Sequence, residues 1–434
     1  MNRESTVYQT YTEILKRELI CAMGCTEPIA LAYCAATARA ALGRMPERIV
    51  VEASGNIIKN VKSVVVPNTG GRRGIAAAAC IGALGGDEKA GLQVLIGITE
   101  GIREKLGSYM EKTPVEVRPL ASEHLLDMII TVYAGSASAR VRIANEHTNI
   151  VLIERDGRTV LEKEDNEKPA EENLPDYNLL TVQGIYDFAC TCDLEDVKPI
   201  LDRQIACNTA IAEEGLRKDY GANIGKVLLK TGSDLHTRAR AYAAAGSDAR
   251  MNGSELPVVI CSGSGNQGLT ASLPVIVYAE GLQTGREKLY RALLISNLVT
   301  LRCKTGIGRL SAYCGAVSAG AGAGAGIAFL QGGNERDIAH TIVNALAIAS
   351  GIVCDGAKSS CAAKIAMAVE TGIFGYEMFR SGQQFYAGDG LVVKGVENSI
   401  EAFGRLARVG MSGTDREIIQ MMTEDVCDPC RKTP

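Results

Sequence analysis

The spacing of apolar positions divides the first part of the chain into helical and extended stretches. Residues 7–42 carry apolar side chains at helical spacing and predict two helices, broken at Gly24. Residues 50–66 are rich in β-branched side chains, which predicts strands with Gly55-Asn56 between them. The Ala-rich pattern with spaced Leu over 75–105 predicts a return to helix.

The middle of the chain changes character. Short segments with strand-like patterns predict a run of strands, joined in one place by a hairpin turn at Asp156-Gly157, over 115–117, 128–133, 139–144 and 149–154. Residues 165–179 are charged and poor in apolar side chains, which is typical of an exposed linker. Beyond this linker nearly every segment is rich in Ala and Gly and has a helical pattern.

These patterns predict an α+β protein whose C-terminal half is mostly helical. The expected parts are a helical and extended N-terminal part (1–110), a small β-rich subdomain with its linker (111–175) and a helical, Ala- and Gly-rich domain (176–434). The 434 residues suffice for two or three domains, since single cores stop growing at roughly 250 to 300 residues. The short loops of the last part carry the unusual residues, so we expect the chemistry there.

One uncharged stretch, 312–330, has about the length that a membrane span requires. Its residues are mostly Gly and Ala, which are weakly apolar and suit helices packed closely inside a protein, so we predict a buried helix. The first ten residues are polar and charged and have neither the apolar stretch nor the cleavage site of a secretory signal. This indicates a cytoplasmic protein without a membrane partner.

Composition narrows the classes of partner and of metal site. The net charge of -4, the absence of a basic run and the absence of Trp argue against nucleic acid as a partner. The four His residues have no paired spacing, which argues against a histidine-based zinc centre. The sequence leaves the oligomeric state open, including a homo-oligomer.

The chain has 14 cysteines, which need an explanation because disulfides are rare in the cytosol. Several sit among aliphatic residues or at a spacing poor for chelation and are predicted to be inert core thiols: Cys21, Cys34, Cys80, Cys190, Cys192, Cys207 and Cys261. The remaining candidates for chemistry are Cys25, Cys303, Cys314, Cys354, Cys361, Cys427 and Cys430.

Three loops in the last part stand out. The Cys-Ser-Gly-Ser-Gly-Asn-Gln-Gly loop at 261–268 precedes a helical pattern, so its amides can point at a carboxylate or a phosphate. A carboxylate-binding loop, a nucleotide-binding loop and a turn that packs a helix closely are all open, although no βαβ series surrounds it. The loops at 304–314 and 351–361 bring Cys314, Cys354 and Cys361 next to glycine, charge and hydroxyl groups, as thiolate ligands require. This Cys spacing does not match ferredoxins, and core thiols or an open zinc site remain alternatives.

Four segments together resemble the L-cysteine desulfidase family, which is related to the alpha chain of iron–sulfur L-serine dehydratases. They are Gly24-Cys25-Thr26-Glu27-Pro28, the Gly-Ser-Gly-Asn-Gln-Gly loop, 311–314 and 354–361, and the resemblance runs from about residue 10 to about residue 410. It implies a [4Fe-4S] cluster held by Cys314, Cys354 and Cys361, with the fourth iron left free for substrate. It also implies that Cys25 is the general base. The Cys-x6-Cys spacing of the last two cysteines is nearer to the desulfidase branch than to the dehydratases.

The position of Cys25 fits a reactive thiol. It precedes Thr26-Glu27-Pro28 and a long Ala-rich pattern, and a proline near the first turn marks the start of a helix. The positive end of a helix favours the thiolate form at neutral pH, so we expect a thiolate here. The alternative is a buried residue beside the helix cap.

The function expected from this resemblance is β-elimination of L-cysteine, a small amino-acid substrate, to pyruvate, ammonia and hydrogen sulfide, without pyridoxal phosphate. The alternatives are an L-serine dehydratase and, from another class, an iron–sulfur redox sensor in which Cys427 and Cys430 form a switch. The groups expected to hold the substrate carboxylate are Asn68, Thr69, Ser262, Ser264, Asn266 and Arg309.

Two further features have ordinary interpretations. Asp248 and Arg250 are expected to form a surface ion pair. Cys427 and Cys430 are expected to lie in an exposed tail, although a C-terminal thiol could reach back to an open iron.

Overall fold

A computed structural model describes residues 1–163, 175–308 and 310–427, with side chains up to residue 423. The N-terminal part confirms the two predicted helices before residue 42, which a short strand and Gly24 separate. Its elements are α1 (Thr6–Glu18), β1 (Cys21–Met23), α2 (Thr26–Leu42), β2 (Arg48–Ala53), α3 (Gly55–Val61), α4 (Gly74–Gly85) and α5 (Glu100–Lys112).

The prediction of a second strand within 50–66 is wrong, because Gly55–Val61 forms the helix α3. Ser54 stands at the N-cap, a position that serine favours, and its carbonyl accepts the amide of Ile58 at 3.1 Å. The helix buries Ile57, Ile58 and Val61. Burial of this face therefore outweighs the preference of β-branched side chains for strands.

The predicted small sheet is confirmed and has six strands in the order β3-β2-β4-β5-β6-β7. Strand β2 pairs with β3 in parallel, and the other neighbours are antiparallel. The hairpin turn at Asp156-Gly157 is confirmed, with φ angles of +49° and +74°. The strands that follow β2 are β3 (Val115–Pro119), β4 (Asp127–Ala134), β5 (Ala137–Ala144), β6 (Ile150–Arg155) and β7 (Arg158–Glu162).

The remainder of the described chain is almost entirely helical, which confirms the α+β class. Strand β8 pairs antiparallel with β1 and so ties this part to the N-terminal part. A π-helical turn, Leu406–Gly410, precedes the last helix. The elements are α6 (Val182–Thr191), α7 (Lys198–Arg217), α8 (Ile224–Thr231), α9 (Leu235–Met251), β8 (Pro257–Val259), α10 (Gly265–Gly281), α11 (Arg286–Thr305), α12 (Gly315–Leu330), α13 (Glu335–Ala349), α14 (Cys361–Arg380), α15 (Val396–Arg405) and α16 (Ser412–Cys427).

Two apolar clusters form the cores. One joins α2 and α4 to the six-stranded sheet, and the other joins α1 to the helices after residue 180. The three-part division of the chain stays a prediction, although the sheet takes β2 from the N-terminal part. Most of the predicted linker lies outside the described residues.

The uncharged stretch forms α12, which lies inside the protein as predicted. Its glycines allow other helices to approach its backbone. A Cβ at Gly324 would lie 2.3 Å from the carbonyl oxygen of Gly372 in α14, and one at Gly322 would lie 2.4 Å from that of Ser296 in α11. No helix within the described residues is long and apolar enough to cross a membrane.

Replacing Gly372 by alanine is expected to lower the free energy of unfolding by about 2 kcal/mol or more, since the new methyl group forces α12 and α14 apart. The added Cβ would lie 2.1 Å from the carbonyl oxygen of Gly320. Urea denaturation followed by circular dichroism measures the change. Gly101→Ala in α5 is the control, because no atom lies within 4 Å of its added Cβ and its stability should be unchanged or slightly raised. Equal stability of the two variants would contradict the backbone contact.

Candidate functional site

One cavity of about 110 Å³ collects the four cysteines that the sequence singled out, Cys25, Cys314, Cys354 and Cys361. Cys25 and Cys361 also pack against one small apolar cluster that contains Val64 and Met251. The rest of the lining is mostly polar and comprises Glu27, Lys59, Asn60, His147, Arg250, Ser262, Gly263, Ser264, Asn266, Gln267, Lys304, Leu310, Ser311, Tyr313, Gly315, Ala316, Gly356, Ala357 and Ile365.

A short backbone pairing sets Cys314 beside Cys354. The amide of Cys314 donates to the carbonyl of Ile352 at 3.1 Å, and the amide of Cys354 donates to the carbonyl of Ala312 at 2.6 Å. The loop then turns at Gly356, whose φ of +93° favours glycine, and reaches Cys361 at the start of α14. The loops at 304–314 and 351–361, which carry Cys314, Cys354 and Cys361, thus form one local structure.

Three of the four cysteines lie at the start of helices. Cys25 is the N-cap of α2, Cys314 is the N-cap of α12 and Cys361 is the first residue of α14. The unpaired amides of a first helical turn carry partial positive charge. This charge favours thiolates or another anion in the cavity.

Burial raises the pKa of two of the three candidate ligands, Cys314 and Cys361, and so favours their protonated form when no cation is present. Burial, followed by the nearby Cys354, raises the pKa of Cys314 to about 12. Burial also raises the pKa of Cys361. A metal ligand must be deprotonated, so a bound cation would have to overcome this burial.

The donor groups of the cavity bear on whether it could hold a single metal ion or a cluster. Among the described residues, no group of three or more His, Cys, Asp or Glu side chains is placed to hold one metal ion. This does not favour the zinc alternative, which needs its donors around a single point. A cluster takes each cysteine on a different iron, so three separated thiols in one cavity are a donor set that fits it chemically.

Cys25 is not the thiolate that the sequence predicted. Its side chain is only 3% exposed. Burial raises the pKa of the Cys25 thiol well above its ordinary value, and the charge of Glu27 raises it further. The thiol donates a hydrogen bond to Oε2 of Glu27 at 3.1 Å. The expectation failed because loss of water and a nearby carboxylate outweigh the helix dipole.

Glu27 is a buried carboxylate held by several donors. Its Oε1 accepts from Nδ2 of Asn60 at 3.0 Å, and its Oε2 accepts from the hydroxyl of Thr26 at 3.1 Å. Burial acts to raise the pKa of Glu27, but His147, the hydrogen bond from Cys25 and Arg250 outweigh it, and the pKa lies below its ordinary value. Cys25 and Glu27 are therefore a thiol and an ionised carboxylate in direct contact.

The loop at 261–268 places Ser262, Ser264 and Asn266 in the cavity wall, and their role in holding a carboxylate stays a prediction. It follows β8 and precedes α10, but β8 belongs to a two-stranded antiparallel sheet. A nucleotide loop needs a parallel βαβ unit, so this setting does not favour nucleotide binding. The first turn of α10 faces the cavity together with the loop, which suits a carboxylate.

The predicted surface ion pair of Asp248 and Arg250 is wrong, since the two residues are 1% and 2% exposed. Asp248 accepts the backbone amide of Gly225 at 3.0 Å, at the start of α8. Arg250 lines the cavity instead. The Ala-rich sequence around Asp248 and Arg250 lets α9 pack closely inside the protein, so both polar residues are buried with the helix.

Other predicted residues lie elsewhere. Asn68 and Thr69 are absent from the cavity lining. The hydroxyl of Thr69 donates to the carbonyl of Val66 at 2.6 Å and holds its own turn together. Asn68 donates to the carbonyl of Leu95 at 2.8 Å and ties this turn to a later segment of the chain. Arg309 and Cys430 lie outside the described residues, as does the side chain of Cys427.

Several lining residues were missed by the sequence predictions. Lys59 and Asn60 lie on α3, which was predicted as a strand, and His147 follows β5. Glu27 lies in the motif around Cys25, two residues after the cysteine, and this spacing was the sequence signal that could have identified it. Local sequence held no comparable signal for His147 or Arg250.

Comparison with known proteins gives two results. A family model for the serine dehydratase alpha chain matches residues 139–420. UPF0597 proteins are similar along almost the whole chain. That of Desulfitobacterium hafniense is 55% identical over 97% of this chain and 98% of its own length. Those of Lachnoclostridium phytofermentans and Treponema denticola are 50% and 43% identical, over 96% and 98% of this chain and 100% of theirs.

Proposed function

This chain belongs to the serine dehydratase alpha chain family, and we propose that it is an iron–sulfur-dependent lyase that cleaves L-cysteine to pyruvate, ammonia and hydrogen sulfide. The observation that carries the proposal is the meeting of Cys25, Cys314, Cys354 and Cys361 in one small cavity. Membership of the family supports a lyase-type enzyme. The choice of L-cysteine rests on the resemblance of the cysteine motifs to the L-cysteine desulfidases.

We assign the cofactor to Cys314, Cys354 and Cys361, which would hold a [4Fe-4S] cluster with one iron lacking a protein ligand. The bound cluster would supply a Lewis acid for the β-substituent of the amino acid. The helix starts at Cys314 and Cys361 support the anionic form of these ligands. Nearby, Lys364 donates to the carbonyl of Val353 at 2.8 Å and pairs with Asp355, which fixes the loop that carries Cys354.

Proton transfer is assigned to Cys25 and Glu27. The sulfur of Cys25 accepts the α-proton of the substrate while the thiol proton passes to Oε2 of Glu27. The electrons of the Cα–H bond form the Cα=Cβ bond, and the Cβ–S bond breaks with its electrons on sulfur. The products are 2-aminoacrylate and hydrosulfide, which takes the proton from Glu27 and leaves as hydrogen sulfide, so that Cys25 and Glu27 return to their starting forms. Water converts 2-aminoacrylate to pyruvate and ammonia without the protein.

The substrate carboxylate is assigned to the wall formed by Ser262, Ser264 and Asn266 and by the first turn of α10. This wall offers hydroxyl and amide groups beside a helix start, where anions bind favourably. It would turn the α-carbon of the amino acid toward Cys25, which lines the same cavity.

L-Serine dehydratase activity is the second candidate, because the family that matches this chain bears that description. A hydroxyl in place of the thiol leaves the proton transfer by Cys25 and Glu27 unchanged. The two substrates differ only in the leaving group.

The test is anaerobic purification, iron and sulfide analysis, and assays of pyruvate and sulfide with L-cysteine and L-serine. We expect a cluster and a higher kcat/KM for L-cysteine. A higher value for L-serine would identify a dehydratase. A cluster without turnover of either amino acid would favour the redox sensor. Protein prepared anaerobically that holds no iron would overturn the proposal.

A further inference from the structure

Arg250 forms no ion pair with a carboxylate of the described residues, although its charge helps to lower the pKa of Glu27 in the same cavity. Its side chain is 2% exposed, near the end of α9. Nη1 donates to Oδ1 of Asn266 at 3.2 Å, and Nε has no hydrogen-bond partner among the described residues. Asn266 is a neutral amide, so this contact orients the guanidinium without balancing its charge. A buried guanidinium that no carboxylate contacts directly is costly, which points to an anion at this place.

Lys59, a second cation in the cavity wall, differs from Arg250 because it has an ion-pair partner. Lys59 is 1% exposed and also lines the cavity, but its Nζ forms an ion pair with Asp415 of α16 at 2.6 Å. The carboxylate of Glu27 accepts from Cys25 and Asn60. No Asp or Glu side chain within the described ranges forms an ion pair with Arg250, as Asp415 does with Lys59.

The start of α10 lies against the same guanidinium. A Cβ at Gly265, the first residue of α10, would lie 2.2 Å from Nε and 2.7 Å from Cζ of Arg250. Any side chain at this position would displace the guanidinium. Because Gly265 has no side chain, the full positive charge of Arg250 and the partial positive charge at the start of α10 act at one place.

We propose that Arg250 is the residue that recognises the carboxylate of the ligand, and that Asn266 positions its guanidinium for this contact. The site then selects small molecules with a free carboxylate and rejects the corresponding amides and esters. The inference rests on the proposed function for the identity of the substrate as an amino acid. Recognition of the carboxylate does not depend on turnover, so unreactive carboxylates such as L-alanine bind at the same place.

Binding of L-alanine to the anaerobically purified protein tests this inference by isothermal titration calorimetry. L-Alanine has no leaving group on its β-carbon and cannot react. We expect wild-type protein to bind L-alanine about 10- to 100-fold more tightly than L-alaninamide, as for a hydrogen-bonded charge pair. Arg250→Gln should lose this preference, and Arg250→Lys should keep part of it, because lysine keeps the charge without the planar fork.

Arg240→Gln is the matched control, since Arg240 lies on the same helix, pairs with Glu370 at 2.8 Å and is absent from the cavity lining. It should bind L-alanine as the wild type does. Should Arg250→Gln fail to fold, Asn266→Asp provides the second variant. It places a carboxylate beside the guanidinium and should weaken L-alanine binding by a similar factor.

Wild-type affinity for L-alanine in a folded Arg250→Gln protein, or in Asn266→Asp, would overturn the inference even if L-cysteine is turned over. A wild-type protein that shows no preference for L-alanine over its amide would overturn it too. If neither L-cysteine nor L-serine is turned over, but L-alanine binding depends on Arg250, the proposed function falls and the carboxylate site stands. The two failures are therefore distinguishable.

Discussion

Cys354→Ala protein purified without oxygen is expected to lack the iron–sulfur cluster and to lose its turnover. The backbone pairing of 312–314 with 352–354 holds the backbone of Cys354 beside that of Cys314. Alanine leaves the backbone pairing intact and removes only the sulfur. Because a cluster that loses one of three protein ligands is weakly held, the expected result is loss of iron and not a partial change in rate.

Iron and sulfide analysis, with the visible absorbance spectrum, measures this effect. Cys303→Ala is the matched control, since Cys303 is a buried thiol of α11, 2% exposed, that is absent from the cavity lining. That variant should keep its iron. A full complement of iron in Cys354→Ala would remove Cys354 from the ligand set.

The second large effect is expected for Cys25→Ser, which should keep its iron but turn over L-cysteine about 10²- to 10⁴-fold more slowly. The serine hydroxyl can still donate a hydrogen bond to Glu27, but it is a far weaker acid than a thiol and therefore gives up its proton to the carboxylate much less readily. Steady-state assays with anaerobic protein of known iron content measure the change. Loss of the cluster in this variant would make Cys25 a ligand, and near-normal turnover would make it structural.

Glu27→Gln extends the same prediction to the partner of Cys25. The amide can still accept the hydrogen bond from the thiol but cannot take up its proton. We expect a fall in kcat of about 10²-fold or more at unchanged iron content, measured with the same assay. Glu27→Asp, which keeps the carboxylate, should recover part of the rate. Full activity of Glu27→Gln would show that Glu27 only holds the thiol in place.

Much of the fold was predictable because its signals are local. The strand pattern over 128–144, the Asp156-Gly157 turn and the uncharged helix α12 follow from spacing and residue type alone. Helix α3 was not predictable in this way, since Ile57, Ile58 and Val61 favour strands by propensity and become helical through the surface that they bury.

The cysteines of the candidate site could be predicted from the sequence, but its charged residues and the protonation of Cys25 could not. Cys25, Cys314, Cys354 and Cys361 were found by their motifs, and the structure brings them together. Arg250 lies 225 residues after Cys25 (250 − 25) and carries no local mark of its position in the wall. The protonation of Cys25 also depends on burial and on Glu27, which the sequence does not display before the chain is folded.

The pairing of β1 with β8 bears on the order in which the parts of the site come together during synthesis of the chain. Cys21 lies opposite Val259 in this pair, only four residues before Cys25. The last ligand of the proposed set, Cys361, follows Cys25 by 336 residues (361 − 25). Contacts so distant in sequence form late, because the intervening chain must be synthesised and closed into a loop first. Loading of the cofactor is therefore expected only after synthesis has passed Cys361, and a chain truncated before α14 should acquire no iron.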